Sequence, residues 1–246
     1  MPIMRISLLF VAVAALACGA DVKDFSKTVP LDAKGRFSLD TYKGSIHIAA
    51  WDQPRAEISA RIEAEPGWRS MPVEDVEIRV DALSSDVRVK TEYLRHVFDD
   101  GNLPLVHYTI HIPRGASLRV KDYKSDSEIS GVQGEIEFDT YKGTAHIEGI
   151  QNALTLETYK GNIRAIFTQF AQNSRMNTYK GTIDVSLPRA SAFDLHSTTH
   201  RGALDCDFPR TIHATRDLRS MDGAVNGGGP LLRVSSYRGN IRLRAI

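Results

Sequence analysis

The 246-residue chain is 42% hydrophobic, 25% charged and 8% aromatic, ordinary proportions for a protein that folds around a buried core. Its 31 Lys and Arg against 30 Asp and Glu leave a formal net charge of +1. That balance excludes a dedicated nucleic-acid binder, whose phosphate contacts need a basic surplus.

The chain opens on Arg5 and an apolar run from Ile6 to Ala17, with no acid before Asp21. A short positive start, an apolar stretch and a small-residue end over 1–20 describe a secretory signal peptide. The run is too short to cross a bilayer, which takes about 20 apolar residues. Ala15-Leu16-Ala17 is a cleavage site directly before Cys18, and with Cys18 it also resembles a lipoprotein processing site, although Ala15 stands where Leu is usual. Either ending exports the protein to the periplasm, outer membrane or cell surface, and a lipid on Cys18 would attach it to a membrane. If Cys18 leaves with the signal, Cys206 is the single remaining thiol, and packing and backbone hydrogen bonds must stabilise the fold without a disulfide.

Residues 21–105 form a less regular β region or cap. Arg36 to Trp51 holds one Tyr-Lys-Gly motif, and Ala56–Ile62 and Val76–Val80 alternate as strands do. His96 to Leu105, with Asp99-Asp100-Gly101-Asn102 and Pro104, reads as a loop. Val106–Pro113 and Ser117–Val120 lead into regular repeats spanning 106–246.

The repeat decides the architecture. Thr41-Tyr42-Lys43-Gly44 recurs at 140–143, 158–161 and 178–181, with weaker copies at Asp122-Tyr123-Lys124-Ser125, Thr199-His200-Arg201-Gly202, Met221-Asp222-Gly223 and Ser236-Tyr237-Arg238-Gly239. From Tyr123 onward the copies are spaced 18, 18, 20, 21, 22 and 15 residues apart. Period-two alternation flanks each copy, as in Ile136, Phe138 and Thr140 before one and Ala145 and Ile147 after it. A unit of two short strands joined at a Tyr-Lys-Gly corner cannot cover its own apolar face, and stacking identical units in register does so. The expected fold is therefore an all-β parallel β-solenoid, with an antiparallel sandwich as the alternative. Parity points Thr140, Thr158, Thr178 and Ser236 inward, where stacked hydroxyls can bond along the column. It turns the tyrosines outward and makes Cys206, between Leu204 and Phe208, a buried, inert thiol.

The candidate ligand-binding surface is the outward ribbon of Tyr123, Tyr141, Tyr159 and Tyr179, with Lys124, Lys142, Lys160 and Lys180 beside them, one pair per rung of about 4.8 Å. Aromatic rings and cations suit sugars and acidic groups. The plainer reading is a ladder that only stabilises the corner.

Gly44-Ser45-Ile46-His47-Ile48, Trp51-Asp52, Tyr108–Pro113, Leu118-Arg119-Val120, Ile129–Gly134 and the serial Thr-x-x-Gly steps together resemble the bacterial "putative adhesin" family, exported β-strand-repeat proteins that form a domain of unknown function. The resemblance implies a β-solenoid at the cell envelope and no defined chemistry. Tyr-Lys stands where that family usually has small polar residues.

Other side chains imply little. His196 and His200 lie about 13 Å apart on a strand, too far to share a metal. Asp194, Asp205 and Asp207 form no repeated acid-base constellation. No cofactor is implied. Asn240–Arg244 ends the chain on a strand, an expected free edge that would permit end-to-end dimers unless its outward charges keep the protein monomeric. The expected function is a non-enzymatic envelope module that binds polysaccharide or another envelope component. The alternative is a lyase or glycosidase on the same scaffold.

Overall fold

The computed structural model describes residues 22–65, 71–94, 102–209, 212–214 and 219–246. The export signal expected over 1–20, Cys18 with it, and residues 96–101 of the expected loop lie outside these.

The fold is all-β and mostly parallel. Twenty strands occur among the described residues, the first seven being β1 (Val22–Pro30), β2 (Arg36–Asp40), β3 (Lys43–Trp51), β4 (Arg55–Glu63), β5 (Val76–Leu83), β6 (Asp86–Tyr93) and β7 (Leu105–Pro113). The repeats supply β8 (Ser117–Ser130), β9 (Ile136–Lys142), β10 (Ala145–Ile150), β11 (Leu154–Lys160), β12 (Ile163–Phe167), β13 (Ser174–Lys180) and β14 (Ile183–Leu187). The last are β15 (Phe193–Arg201), β16 (Leu204–Cys206), β17 (Ile212–Ala214), β18 (Ser220–Val225), β19 (Leu231–Arg238) and β20 (Ile241–Ala245).

Two parallel ladders organise them. One runs β6-β2-β8-β9-β11-β13-β19-β15. The other runs β7-β3-β8-β10-β12-β14-β20-β16. The alternating side chains of both, such as Phe138, Leu156 and Val234 from one and Ile147, Val185 and Leu243 from the other, join a single apolar core. Antiparallel pairs flank the ladders: β1-β4-β7, β5-β6 and β15-β18-β17.

The repeated glycine sits where the chain passes from one ladder to the other, and packing dictates it. A Cβ on Gly161 would lie 1.8 Å from the carbonyl oxygen of Gly143, and Gly143 itself has φ +130°. Each rung thus rests its Cα on the backbone of the next, which no larger residue permits. The one copy with serine in place of glycine behaves differently. Ser125 lets β8 continue unbroken through 14 residues, so this single strand serves both ladders.

Thr140, Thr158, Thr178 and Ser236 are buried, as parity requires. Their bonding differs from the expected chain of hydroxyls. Thr91 donates to Thr41 Oγ1 (3.1 Å) and Thr140 to the Asp122 carboxylate (2.9 Å). Thr178, Ser236 and Thr199 instead donate to the glycine carbonyls of neighbouring rungs, Gly161, Gly181 and Gly239. The rung spacing brings those carbonyls, unobstructed by any Cβ, within reach of the hydroxyls.

Three expectations are corrected. β20 is not an edge: it lies between β14 and β16, paired on both sides, just as β19 lies between β13 and β15. Asn226, Gly227 and Gly228, all at positive φ, follow β18, which pairs with β15 on the side away from β19. The chain thereby crosses β15 and inserts its last repeat beneath an earlier one. Met221-Asp222-Gly223 is not a rung, because β18 runs antiparallel to β15. Cys206 is half-buried rather than buried, since three-residue β16 pairs only with β20 among the described residues.

Candidate functional site

Register places the residue after each inward threonine, serine or Asp122 on one outward line. Tyr42, Tyr123, Tyr141, Tyr159, Tyr179, Tyr237 and His200 stack in that spatial order, with ring centroids 4.5 to 4.9 Å apart. Neighbouring planes are within 10° of parallel. Tyr93 closes one end, edge-on to Tyr42 at 6.1 Å. Its phenol, largely buried and donating to the Pro104 carbonyl (3.2 Å), is pushed well above the usual range by that burial. Burial and the adjacent Tyr123 also raise the Tyr42 phenol.

The four expected tyrosines are therefore brought together, and Tyr42, Tyr237 and His200 extend the row. One feature of the expected binding mode is closed off. Parallel rings at this spacing cover one another's faces, so a sugar cannot stack on a ring inside the row. The tyrosines are 37–39% exposed, which leaves ring edges and hydroxyls.

One residue further on lies a column of cations. Lys43, Lys124, Lys142, Lys160, Lys180, Arg238 and Arg201 occupy successive rungs, each in register with the next. Lys142 and Lys160 lie 5.4 Å from the centroids of their own tyrosine rings, and Arg238 lies 5.8 Å from that of Tyr237. Among the described residues only Lys43 of this column is ion-paired, to Glu65. Like charges facing one another across a ladder destabilise it. The ring contacts of Lys142, Lys160 and Arg238 offset part of that repulsion, and no acid partner among the described residues offsets the rest beyond Lys43.

The other side of the tyrosine row is a groove of about 810 Å³, whose lining includes Asp139, Glu157 and Asn177 alongside Tyr141, Tyr159 and Tyr179. Asn177 donates to Glu157 Oε1 (3.3 Å), and Arg175 lies 3.8 Å from the same oxygen. Asp122 lines one end, buried beneath Tyr123 and accepting from Ser125 (2.7 Å) and Thr140 (2.9 Å). Burial pushes its carboxyl above the ordinary carboxylate range against the pull of those bonds.

The remaining candidates are held elsewhere. His196 contacts Asp222, whose other oxygen accepts from Ser220, while His200 belongs to the aromatic row. Arg244 binds both Asp205 (2.8 Å) and Asp207 (3.0 Å), which leaves Asp194 apart from them. Burial raises the pKa of the intervening Cys206 thiol. Among the described residues no group of three His, Cys, Asp or Glu is placed to hold a metal ion, and no helix is long and apolar enough to cross a membrane. One further grouping has no signature in the sequence. Ser45 Oγ lies 2.9 Å from His107 Nδ1, and His107 Nε2 lies 3.9 Å from Glu63. This line sits on a sheet face, and the groove beside the tyrosine row does not include Ser45.

A crystal structure from Clostridium sporogenes ATCC 15579, described as a "putative cell adhesion protein", aligns with a TM-score of 0.54 at 10% identity, over 91% of this chain and 100% of that one. One from Bacteroides fragilis NCTC 9343, described as a "putative adhesin", gives a TM-score of 0.46 at 13% identity, over 90% and 97%. At such identity the first likeness is one of fold alone. Curated protein sequences include no match to the chain. The family model described as Toastrack DUF4097 matches residues 28–244, nearly everything after the expected signal. The likeness carried by Gly44–Ile48, Tyr108–Pro113 and the Thr-x-x-Gly steps is thus one of membership: the chain belongs to the Toastrack DUF4097 family.

Proposed function

We propose that the chain is a parallel β-solenoid with Tyr-Lys-Gly corners, exported to the cell envelope, that works without catalysis by holding polysaccharide along its Tyr-Lys row. One observation carries this reading: seven cations stand in register on successive rungs, and only Lys43 has an acid partner among the described residues. Such a column costs stability in the free protein and is relieved by an anionic partner. The description of the Clostridium sporogenes protein as a "putative cell adhesion protein" agrees with a binding role. A lipid on Cys18 would tether the module to a membrane.

The test is binding of the purified chain to neutral and acidic polysaccharides and to peptidoglycan at two salt concentrations. Salt-sensitive binding to the acidic members is expected. It should fall at least about tenfold when Lys142, Lys160 and Lys180 are replaced by Gln, the loss of about 1.4 kcal/mol or more. Binding that is absent throughout, or indifferent to those replacements, would reject the proposal.

A further inference from the structure

We infer that the polymer is an acidic glycan with about one carboxylate per sugar, lying along the tyrosine stack across the strands; this deepens the binding role proposed above and rests on it. The cations define the first requirement. They do not converge on a point, as they would around a compact anion, but repeat once per rung in a straight line. Only a linear ligand whose charge repeats at a similar interval engages them all. An extended chain of pyranose sugars advances by about the length of one rung per residue.

The second requirement comes from the groove. On the side of the tyrosines away from the cation column, the groove runs from Lys121 to the exposed Asp139 and Glu157, and Asn177 follows in the next rung. A polyphosphate has no hydrogen to offer these carboxylates and is repelled by them. Sugar hydroxyls donate to carboxylates, and they accept from the Asn177 amide or the tyrosine hydroxyls. The two sides of the row thus ask opposite things of the ligand: negative charge towards Lys142, Lys160 and Lys180, and hydrogen-bond donors towards Asp139 and Glu157. A uronic-acid polymer carries both on every unit. Because the ring faces are stacked on one another, the contact between them is made by ring edges and hydroxyls.

Calorimetry of the full chain with oligouronates of two to ten sugars, with the matching neutral oligosaccharides and with inorganic polyphosphate tests this. Oligouronate affinity should rise with length and level off near seven sugars, and the neutral series should bind at least about tenfold more weakly. The deciding variant is Asp139→Asn with Glu157→Gln. It should weaken oligouronate binding by at least about tenfold, the low end for a lost charged hydrogen bond, while strengthening polyphosphate binding. If instead it strengthens oligouronate binding, or if polyphosphate binds the unaltered chain as well as the uronates do, recognition is by charge alone. The glycan assignment then falls while the binding role stands. Failure of every polyanion and every sugar to bind overturns both.

Discussion

Asp122 occupies a position that threonine or serine fills in most other rungs, and it shows what a carboxyl costs there. It is 7% exposed, and burial raises its pKa although Ser125 and Thr140 both donate to it. A raised carboxyl pKa means the folded state prefers the proton. The associated stability is complete below the unfolded value of about 3.9 and is lost as pH climbs through the raised folded value. Asp122→Thr should therefore gain stability over the unaltered protein as pH goes from about 4 to 8. Urea midpoints of both proteins at the two pH values measure this, and an unchanged difference would count against the assignment. Parity marks Thr140, Thr158, Thr178 and Ser236 as inward, and the register of β8 with β9 adds position 122 to them. That a carboxyl there would collect two hydroxyl donors depends on Ser125 and on Thr140 of the next rung, which only the stacking brings near.

Among the strands, β20 is the sharpest case. Leu243 is 1% exposed in a strand paired on both sides, so Leu243→Ala should cost about 2–5 kcal/mol by urea unfolding. A loss well under 1 kcal/mol, the behaviour of a frayed edge, would contradict the insertion. Strand identity and facing were legible in the sequence, because Ile136, Phe138 and Thr140 alternate with charged residues and the same pattern recurs. The order of the strands in space was not. Parallel neighbours are matched by repeats so alike that β13 accepts β19 as readily as β15, and nothing in Leu231–Arg238 marks which will lie beside it. A hint lay in the copies themselves. Tyr237-Arg238-Gly239 is a nearly full motif, whereas Thr199-His200-Arg201-Gly202 is atypical, as terminal repeats are. The Tyr-Lys ribbon was legible for the same reason as the strands, by constant offset from the inward threonine. Its extension to Tyr42 and Tyr237 was not, since it depends on long-range pairing of β2 with β8 and of β13 with β19.

For the molecule as a whole, the cation column sets stability against binding. Lys160 stands between Lys142 and Lys180, so Lys160→Glu converts two repulsive neighbours into attractive ones. At low salt it should stabilise the free protein by about 0.5–1 kcal/mol, a gain that screening removes at about 1 M salt. The same change should weaken acidic-polysaccharide binding. Thermal and urea unfolding in low and high salt, beside the binding assay, read both effects. A variant that loses stability at low salt would show that the column is neutralised in solution by groups other than a polymer.

The insertion of the last repeat also has a consequence in time. Ribosomes deliver this chain from its first residue onward, and a stack assembled in that order would simply grow by accretion. Here the residues of β15 and β16 emerge before those of β19 and β20, yet their permanent neighbours are the later pair. Until Leu231–Ala245 arrives, the native seat of β15 and β16 does not exist, and any early docking on β13 and β14 must be undone. Arrival of Leu231–Ala245, rather than stepwise growth, is what locks the stack.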